Sequence, residues 1–182
     1  MSSSYKFRNQ EKLYFATFTT IRWVDVFTRT IYKEILLDSF RYCMKHKGLE
    51  VYAWVIMSNH VHLIMGSQSK PMADILRDFK THTAKTIIKA IEDNSQESRK
   101  DWMLWMFSKE GKFNPNNTHH QFWQQGNHPI ELADNVMIDQ KLDYIHNNPV
   151  SAGWVDMPEH YLYSSARDYA GIKGLLDIQL IM

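Results

Sequence analysis

The chain has 182 residues, of which 44% are hydrophobic and 23% are charged, and this composition excludes a disordered polypeptide and a coiled coil. The formal net charge of +1 gives no whole-molecule argument for nucleic-acid binding, so any such function must rest on a local surface. Residues 1–10 lack an apolar signal core, no stretch approaches the ~20 apolar residues that span a bilayer, and a single cysteine, Cys43, fits a reducing compartment. We therefore expect a cytoplasmic protein.

The first half of the chain alternates between strand and helix patterns. Aromatic and β-branched residues predict strands, apolar residues at helical spacing predict helices, and Gly48 and the pair Ser58-Asn59 supply breaks between them. The predicted elements are a strand at 13–20, a helix at 28–47, two strands at 49–57 and 60–66 that form a hairpin, and a helix at 71–93.

The second half completes a recognisable order of elements. A short helix is predicted at about 95–110 with Gly111 at its end, then a loop at 112–120, a fourth strand at 121–125 and a helix that ends at Pro149, while the tail from Tyr161 is ambiguous. This order, β-α-β-β-α-β with extra C-terminal helices, predicts a ferredoxin-like α+β sandwich with an antiparallel sheet. Such a fold does not by itself define a function.

Two histidines interrupt the apolar run AWVIMSNHVHLIMGS at residues 53–67. Side chains two apart on a strand point to the same face, so His60 and His62 stand side by side while Val61 and Leu63 face the opposite layer. One isolated histidine would most simply be a hydrogen-bonded core residue. Two on one face would both need polar partners there, which favours a two-ligand clamp for a metal ion that takes its third ligand from elsewhere.

The last predicted helix offers a phenol and an amide that could reach the same spot over the sheet as the two histidines. The segment KLDYIHNNPVSAGWV places Tyr144 and Asn148 four residues apart, and therefore on one side of that helix. The structural alternative is that Tyr144 borders the apolar stripe and that Asn148 merely precedes Pro149 at a helix end. Spacing alone favours that alternative.

These motifs together resemble a known family. MSNHVHLI resembles the histidine-hydrophobe-histidine motif of the single-tyrosine HUH transposases, and YIHNNPVSAGWV followed by YLYSSARDY resembles the tyrosine-bearing segment of their REP-associated, IS200-like branch. The resemblance covers about residues 13–169, which implies a single HUH transposase domain at 1–182 with terminal extensions at 1–12 and 170–182. The chain departs from the family pattern in Ser58, where a proline commonly precedes the Asn-His pair, and in its low net charge.

The resemblance implies a DNA strand cleavage and rejoining reaction on single-stranded or hairpin DNA. Tyr144 would attack a phosphodiester to give a 5′-phosphotyrosine and a free 3′-hydroxyl, and His60, His62 and Asn148 would hold Mg²⁺ or Mn²⁺. Ligand chemistry alone suits two imidazoles to Mn²⁺ or Zn²⁺ better than to Mg²⁺. Related proteins include monomers and homodimers with shared active sites, so both states stay open here.

Two other function classes remain open at this point. A domesticated, non-catalytic relative would bind hairpin DNA without cleaving it. A hydrolytic metalloenzyme would use the histidines to activate water, and its activity would not depend on Tyr144.

Candidate DNA contacts lie on the helix at 71–93 and near residue 123. Four basic residues lie largely away from the apolar stripe and could contact phosphates, although a solvated helix face is the commoner reason for such a pattern; they are Arg77, Lys80, Lys85 and Lys89. Trp123 in FWQQGNH could stack a base, but core packing is the favoured interpretation. His119 and His120 are expected in a loop, and His146 on a different side of its helix from Tyr144.

Overall fold

A computed structural model of the chain describes residues 7, 9–112 and 119–181. The sheet of the described residues contains β1 (Tyr14–Thr19), β2 (Leu49–Ile56), β3 (His60–Ser67) and β4 (Ile130–Glu131), in the order β2-β3-β1-β4. Every pair is antiparallel. The helices are α1 (Thr30–Lys47), α2 (Met72–Asp93), α3 (Lys100–Lys112), α4 (Asn135–Ser151) and α5 (Ala166–Tyr169), with 3₁₀ turns at Ile21–Trp23, Val26–Thr28 and Pro158–His160. This architecture confirms the predicted ferredoxin-like sandwich.

Alternation along β3 divides the core into two layers. Leu63 faces the layer formed by α1, α2 and α3, which is the larger of the two apolar clusters. Ile64 faces the other side of the sheet, where it packs in a smaller cluster with Ile145 of α4. Because His60 and His62 share the parity of Ile64, their side chains lie on the α4 side of the sheet.

The C-terminal segment covers the outer edge of β2. The backbone N–H of Ile56 donates to the carbonyl of Tyr163 at 3.0 Å, and the N–H of Ser165 donates to the carbonyl of Trp54 at 2.9 Å. An edge strand otherwise exposes unpaired backbone groups. The segment therefore protects this edge and ties the region after α4 to the central hairpin.

The predicted fourth strand at 121–125 is wrong. Trp123 makes only an isolated bridge with Thr20, and the fourth strand is β4, which pairs with the opposite end of β1. Gly126 and His128 both adopt positive φ, at 81° and 41°, and these turns prevent a continuous extended run from 121 into β4. The aromatic residues that suggested a strand instead fill the core.

Two helix boundaries also differ from the prediction. The third helix begins at Lys100 rather than near 95, because Glu97 is buried and accepts hydrogen bonds from Arg29 Nε at 2.6 Å and Tyr32 Oη at 3.2 Å. It also continues through Gly111 to Lys112.

The fourth helix does not end at Pro149. It runs through Pro149 to Ser151, and Pro149 is buried. A proline inside a helix removes one backbone hydrogen bond, and here tertiary burial of the helix outweighs that loss. Of the predicted loop at 112–120, Lys112 belongs to α3, His119 and His120 are in irregular structure, and residues 113–118 lie outside the described part of the chain.

No helix in the described part of the chain is both long enough and apolar enough to cross a membrane.

Candidate active site

His60 and His62 stand side by side on β3, as the strand spacing predicts. Their ring centroids are 4.7 Å apart. His62 is only 5% exposed, whereas His60 is half-buried. The apolar flanks of β3 therefore hold two imidazoles on the face of the sheet that α4 covers.

The ring of His62 has one nitrogen engaged and one without a partner. Its Nδ1 lies 2.9 Å from Thr17 Oγ1 on the neighbouring strand, and Phe15 stacks on the ring at 5.4 Å between centroids. Its Nε2 is buried, and no described residue forms a hydrogen bond with it. Burial lowers the pKa of His62 to about 3, and the nearby His60 and Lys141 act in the same direction. The ring is neutral near pH 7, which is the form that binds a metal ion.

His60 is oriented by the residue before it. Its Nδ1 lies 2.6 Å from Asn59 Oδ1, and the amide Nδ2 of Asn59 donates to the carbonyl oxygen of Trp23 at 3.2 Å. Burial lowers the pKa of His60 as well. Nε2 is therefore the ring nitrogen of His60 that is available to a ligand. Burial favours the neutral form of both rings.

Tyr144 comes from α4 to the same place. The helix begins with a side-chain cap, in which Asp134 Oδ1 accepts a hydrogen bond from the N–H of Met137 at 2.8 Å. The ring of Tyr144 lies 5.0 Å from that of His62 and 6.0 Å from that of Phe15, between centroids. Since Tyr144 is 49% exposed, its phenol is accessible to a large substrate from solvent.

Lys141 is a site residue that the sequence analysis missed. Its Nζ lies 4.8 Å from the ring centroid of Phe15 and 5.7 Å from that of Tyr144. Lys141 precedes Tyr144 by one helical turn, and that spacing of three residues was the available signal. The ammonium group of Lys141 therefore lies beside the ring of Tyr144. It is also close enough to help lower the pKa of His62.

The adjacent rings of His60 and His62 offer two imidazole nitrogens to which a divalent metal ion could bind. Asn148 lies one turn after Tyr144 on α4 and is half-buried. The described residues contain no group of three or more His, Cys, Asp or Glu side chains that could hold a metal, so a site at the histidines requires a donor of another kind. An amide oxygen is such a donor. The unpartnered, neutral Nε2 of His62 is the observation that fits a ligand there.

His146 faces away from Tyr144, as expected from its position on the helix. Its Nε2 lies 2.9 Å from Ser165 Oγ, and its ring packs against Tyr169 at 5.0 Å between centroids. Burial lowers the pKa of His146 to about 4. His146 therefore connects α4 to the C-terminal segment and is not part of the cluster of His60 and His62.

The basic side chains of α2 lie on the layer opposite the histidines. Arg77 pairs with Asp74 at 2.6 Å and Lys89 pairs with Asp93 at 3.0 Å, and both basic side chains are largely exposed. Exposed pairs of this kind are weak. These cations are therefore accessible, but they are not adjacent to Tyr144.

Lys80 has a structural role in place of the predicted phosphate contact. Its Nζ donates to the carbonyl oxygens of Gln124 at 2.8 Å and Gly126 at 3.2 Å, and to Asn127 Oδ1 at 3.1 Å. Burial lowers the pKa of Lys80 to about 8. Its three contacts tie α2 to the loop that precedes β4. Lys85, one of the other predicted contacts, is exposed.

Trp123 is a core residue, which corrects its candidate role in base stacking. Its side chain is 5% exposed, its Nε1 donates to Thr83 Oγ1 at 3.1 Å, and its ring packs edge-on against Phe122 at 4.8 Å. A base cannot stack on a ring that other side chains already cover. His119 and His120 lie nearby and line a cleft of about 850 Å³ between α2 and residues 119–126.

A ferredoxin-like sheet with two neutral histidines on one face and a tyrosine over them has the architecture that the sequence resemblance predicts for a tyrosine transposase. The chain belongs to the IS200-like transposase family, whose model matches residues 11–110, more than half of the chain. That segment contains His60 and His62 and ends before α4, so Tyr144 and Asn148 lie outside it. Family membership identifies the protein as a DNA transposase.

Comparison with one solved structure supports the same fold. The chain is similar to a REP-associated tyrosine transposase bound to a REP hairpin, with a TM-score of 0.66 and 18% identity over 96% of this chain and 90% of that one. A candidate transposase from Deinococcus radiodurans R1 gives a TM-score of 0.46 and 18% identity over 81% of this chain and 97% of that one. No match was found among curated protein sequences.

Proposed function

We propose that this transposase cleaves and rejoins single-stranded or hairpin DNA by transesterification, with Tyr144 as the nucleophile. The observation that carries the proposal is the contact between Tyr144 and His62, whose rings lie 5.0 Å apart while Nε2 of His62 is buried without a partner. A nucleophile beside an unused metal-binding nitrogen suits metal-assisted attack on a phosphodiester.

His60, His62 and Asn148 would hold the divalent ion. When bound, Mg²⁺ or Mn²⁺ supplies positive charge that polarises a non-bridging phosphate oxygen and stabilises the charge of the transition state. Two imidazoles with one amide oxygen suit Mn²⁺ by ligand preference, and Mg²⁺ fits the oxygen donors of the DNA itself. Thr17 would accept the Nδ1 proton of His62 and so direct its Nε2 lone pair toward the ion.

Tyr144 forms a new bond to phosphorus as the bond from phosphorus to the 3′ oxygen breaks. The products are a 5′-phosphotyrosine and a 3′-hydroxyl, and attack by a 3′-hydroxyl reverses the step without a nucleotide cofactor. A free tyrosine has a pKa of about 10, so its phenolate is scarce near pH 7 without stabilisation. The ammonium group of Lys141 would stabilise negative charge on the phenol oxygen or on the phosphate.

The DNA-binding surface that we propose differs from the initial prediction. Arg77, Lys85 and Lys89 have exposed cationic groups and are retained as phosphate contacts for the part of a hairpin that extends beyond the site. Lys80 and Trp123 are not retained, because both are engaged within the protein. The solved relative with the same fold binds a REP hairpin, which supports a hairpin as the substrate class.

A covalent adduct tests the nucleophile. The protein would be incubated with a library of labelled DNA hairpins with randomised single-stranded flanks and Mn²⁺ or Mg²⁺, and adducts would be separated under denaturing conditions and sequenced. We expect adducts from the unaltered chain, and none from Tyr144→Phe or after metal chelation. Tyr42→Phe is the matched control, because Tyr42 is 57% exposed and lies on α1, in the opposite layer. Adducts from Tyr144→Phe would refute the assignment, and metal-independent binding without cleavage would favour a non-catalytic DNA-binding protein.

We also propose that one chain forms a complete site, because Tyr144 contacts the histidine of its own sheet. Tyr144→Phe mixed with His60→Ala should then form no adduct, since neither chain carries a complete set of residues. Recovered activity in the mixture would instead indicate a homodimer whose sites combine residues of two chains.

A further inference from the structure

Trp23 lies at the edge of the candidate active site with most of its ring in solvent. Its side chain is 60% exposed, and its ring stands edge-on to that of His60 at 6.3 Å between centroids. His60, His62 and Tyr144 continue from it at successive spacings of 4.7 Å and 5.0 Å. Trp23 is therefore the outer end of a row whose other members are the proposed metal ligands and nucleophile.

The backbone beneath Trp23 is in an unusual conformation. Arg22 and Trp23 are consecutive non-glycine residues with positive φ, at 51° and 58°. Such residues are uncommon, and a bulky one in this region persists only where its surroundings hold it. The exposed pose of the indole is therefore a property of a constrained turn.

Side-chain hydrogen bonds help to hold this turn. Asn59 Nδ2 donates to the carbonyl oxygen of Trp23 at 3.2 Å, Thr20 Oγ1 donates to that of Val24 at 2.7 Å, and Arg22 Nε donates to Glu110 Oε1 at 2.9 Å. The first of these uses the same Asn59 side chain that orients His60. The position of the indole is consequently coupled to that of a proposed metal ligand.

We infer that Trp23 is a stacking platform for an unpaired nucleobase next to the phosphate on which Tyr144 acts. This inference rests on the proposed function, because it takes the row of rings as the path of a DNA strand. Every base offers a π-face, so a rigid and solvent-exposed indole binds single-stranded nucleic acid with little sequence preference. The neighbouring site handles the phosphate, and the indole supplies the apolar surface that a splayed base requires.

The neighbourhood of Trp23 distinguishes it from another exposed tryptophan. Trp105 on α3 is 54% exposed, but Lys109 Nζ covers its ring at 4.8 Å and α3 packs in the layer opposite the histidines. Trp105→Ala is therefore the matched control for loss of an exposed indole away from the site.

The test compares two DNA hairpins in the Tyr144→Phe background, in which no cleavage occurs. One hairpin carries a short oligothymidine arm, and the other carries an arm of the same length made of abasic sugar-phosphate. We expect Trp23→Ala to weaken binding of the oligothymidine hairpin by about 5- to 150-fold, the effect of one stacked base. Binding of the abasic hairpin should not change, Trp23→Phe should keep most of the affinity, and Trp105→Ala should match the Tyr144→Phe parent.

Two results would overturn the inference. One is unchanged binding of the oligothymidine hairpin by Trp23→Ala, and the other is an equal loss on both hairpins, which would give Trp23 a structural role instead. Failure of the proposed function is recognised separately, because it would appear as the absence of a Tyr144-dependent adduct from the unaltered chain, whatever the effect of Trp23→Ala on hairpin binding.

Discussion

Replacing Ser165 by alanine tests how α4 is held against the sheet. Ser165 is fully buried, and its Oγ lies 2.9 Å from His146 Nε2, 2.9 Å from the backbone nitrogen of Trp54 and 3.2 Å from the carbonyl oxygen of Trp54. A hydroxyl group accepts two hydrogen bonds and donates one. These three partners satisfy all three hydrogen-bonding positions of the Ser165 hydroxyl if Nε2 of His146 carries the ring proton. We infer this tautomer from the network.

The expected loss follows from the groups that the substitution leaves without partners. Ser165→Ala orphans the buried Nε2–H of His146 and the buried N–H of Trp54, at roughly 1–3 kcal/mol for each group. The carbonyl of Trp54 keeps the backbone N–H of Ser165 as a donor at 2.9 Å. Allowing for local relaxation, we expect the free energy of unfolding to fall by about 2–4 kcal/mol. For a chain of this size that corresponds to a fall in Tm of roughly 4–16 °C.

Urea unfolding monitored by tryptophan fluorescence measures this loss, and the neighbouring serine supplies a control. Ser164 is equally buried, but its Oγ accepts one hydrogen bond, from the N–H of Ala166 at 3.2 Å. Ser164→Ala should therefore cost only about 1 kcal/mol. Equal losses in the two variants would refute the reasoning, because the network would then be worth no more than one ordinary hydrogen bond.

The same substitution has a functional consequence if the proposed function holds. His146 is two residues from Tyr144, so loss of its anchor loosens the helix that positions the nucleophile. The proposed metal ligands on β3 are not touched. Because Asn148 also lies on α4 whereas His60 and His62 do not, we expect Ser165→Ala to slow adduct formation by a larger factor than it weakens Mn²⁺ binding measured by calorimetry.

Three further changes test separate parts of the site. Lys141→Met removes the charge beside the phenol and should slow single-turnover adduct formation roughly tenfold or more with unchanged Tm; an unchanged rate would remove Lys141 from the reaction. The pKa of His62 falls to about 3 in the folded chain, so below about pH 6.5 the unfolded chain binds more protons and stability is lost as pH falls. This contribution is about 2 kcal/mol between pH 7 and pH 5, and urea unfolding of His62→Asn should show a correspondingly flatter pH dependence. At the positive φ of Trp23, Trp23→Gly should be more stable than Trp23→Ala by up to about 1 kcal/mol; equal stability in urea would argue against a strained turn.

The first half of the fold was predictable because local signals and tertiary structure agree there. The predicted helix at 28–47 is α1 at Thr30–Lys47, and Gly48, with φ at 73°, ends it as expected. The hairpin of β2 and β3 turns at Ser58-Asn59, again as predicted. In each case a clear helical or strand pattern of apolar residues is followed by a residue that ends the element. Few other assignments of secondary structure are therefore compatible with the sequence.

The failures occur where burial, which is a tertiary property, decides the outcome. The run at 121–125 has strand-like composition, but its aromatic side chains fill the core from an irregular segment. Lys80 lies off the apolar stripe of α2, as a solvent-exposed cation would, yet three oxygens of a distant loop surround it. Pro149 is a helix breaker by local rules, and burial of its ring lets α4 continue. No periodicity in the sequence encodes these contacts.

The residues of the candidate site also divide into those that local sequence patterns predict and those that they do not. Strand spacing was sufficient to place His60 and His62 together. The proximity of Tyr144 to them was suggested by family resemblance, since more than eighty residues of chain separate the two motifs. Lys141 carried a spacing signal that was overlooked, whereas Trp23 carried none, because its relevance depends on a positive φ and on contact with a strand that follows a whole helix.

If the proposed function holds, the contacts around α4 indicate how one tyrosine could serve both cleavage and rejoining. Reversal of the reaction requires the phosphotyrosine to stay beside the ligands that served the first step. On one side of Tyr144, Ile145 is buried against Phe15 and Ile64 of the sheet. On the other, His146 is bonded to Ser165, and Ser165 to the backbone of β2. Both anchors belong to the same chain as the histidines, so the fold itself holds the tyrosine in place. In the proposed reaction, the second step would then require movement of the DNA strand rather than of α4.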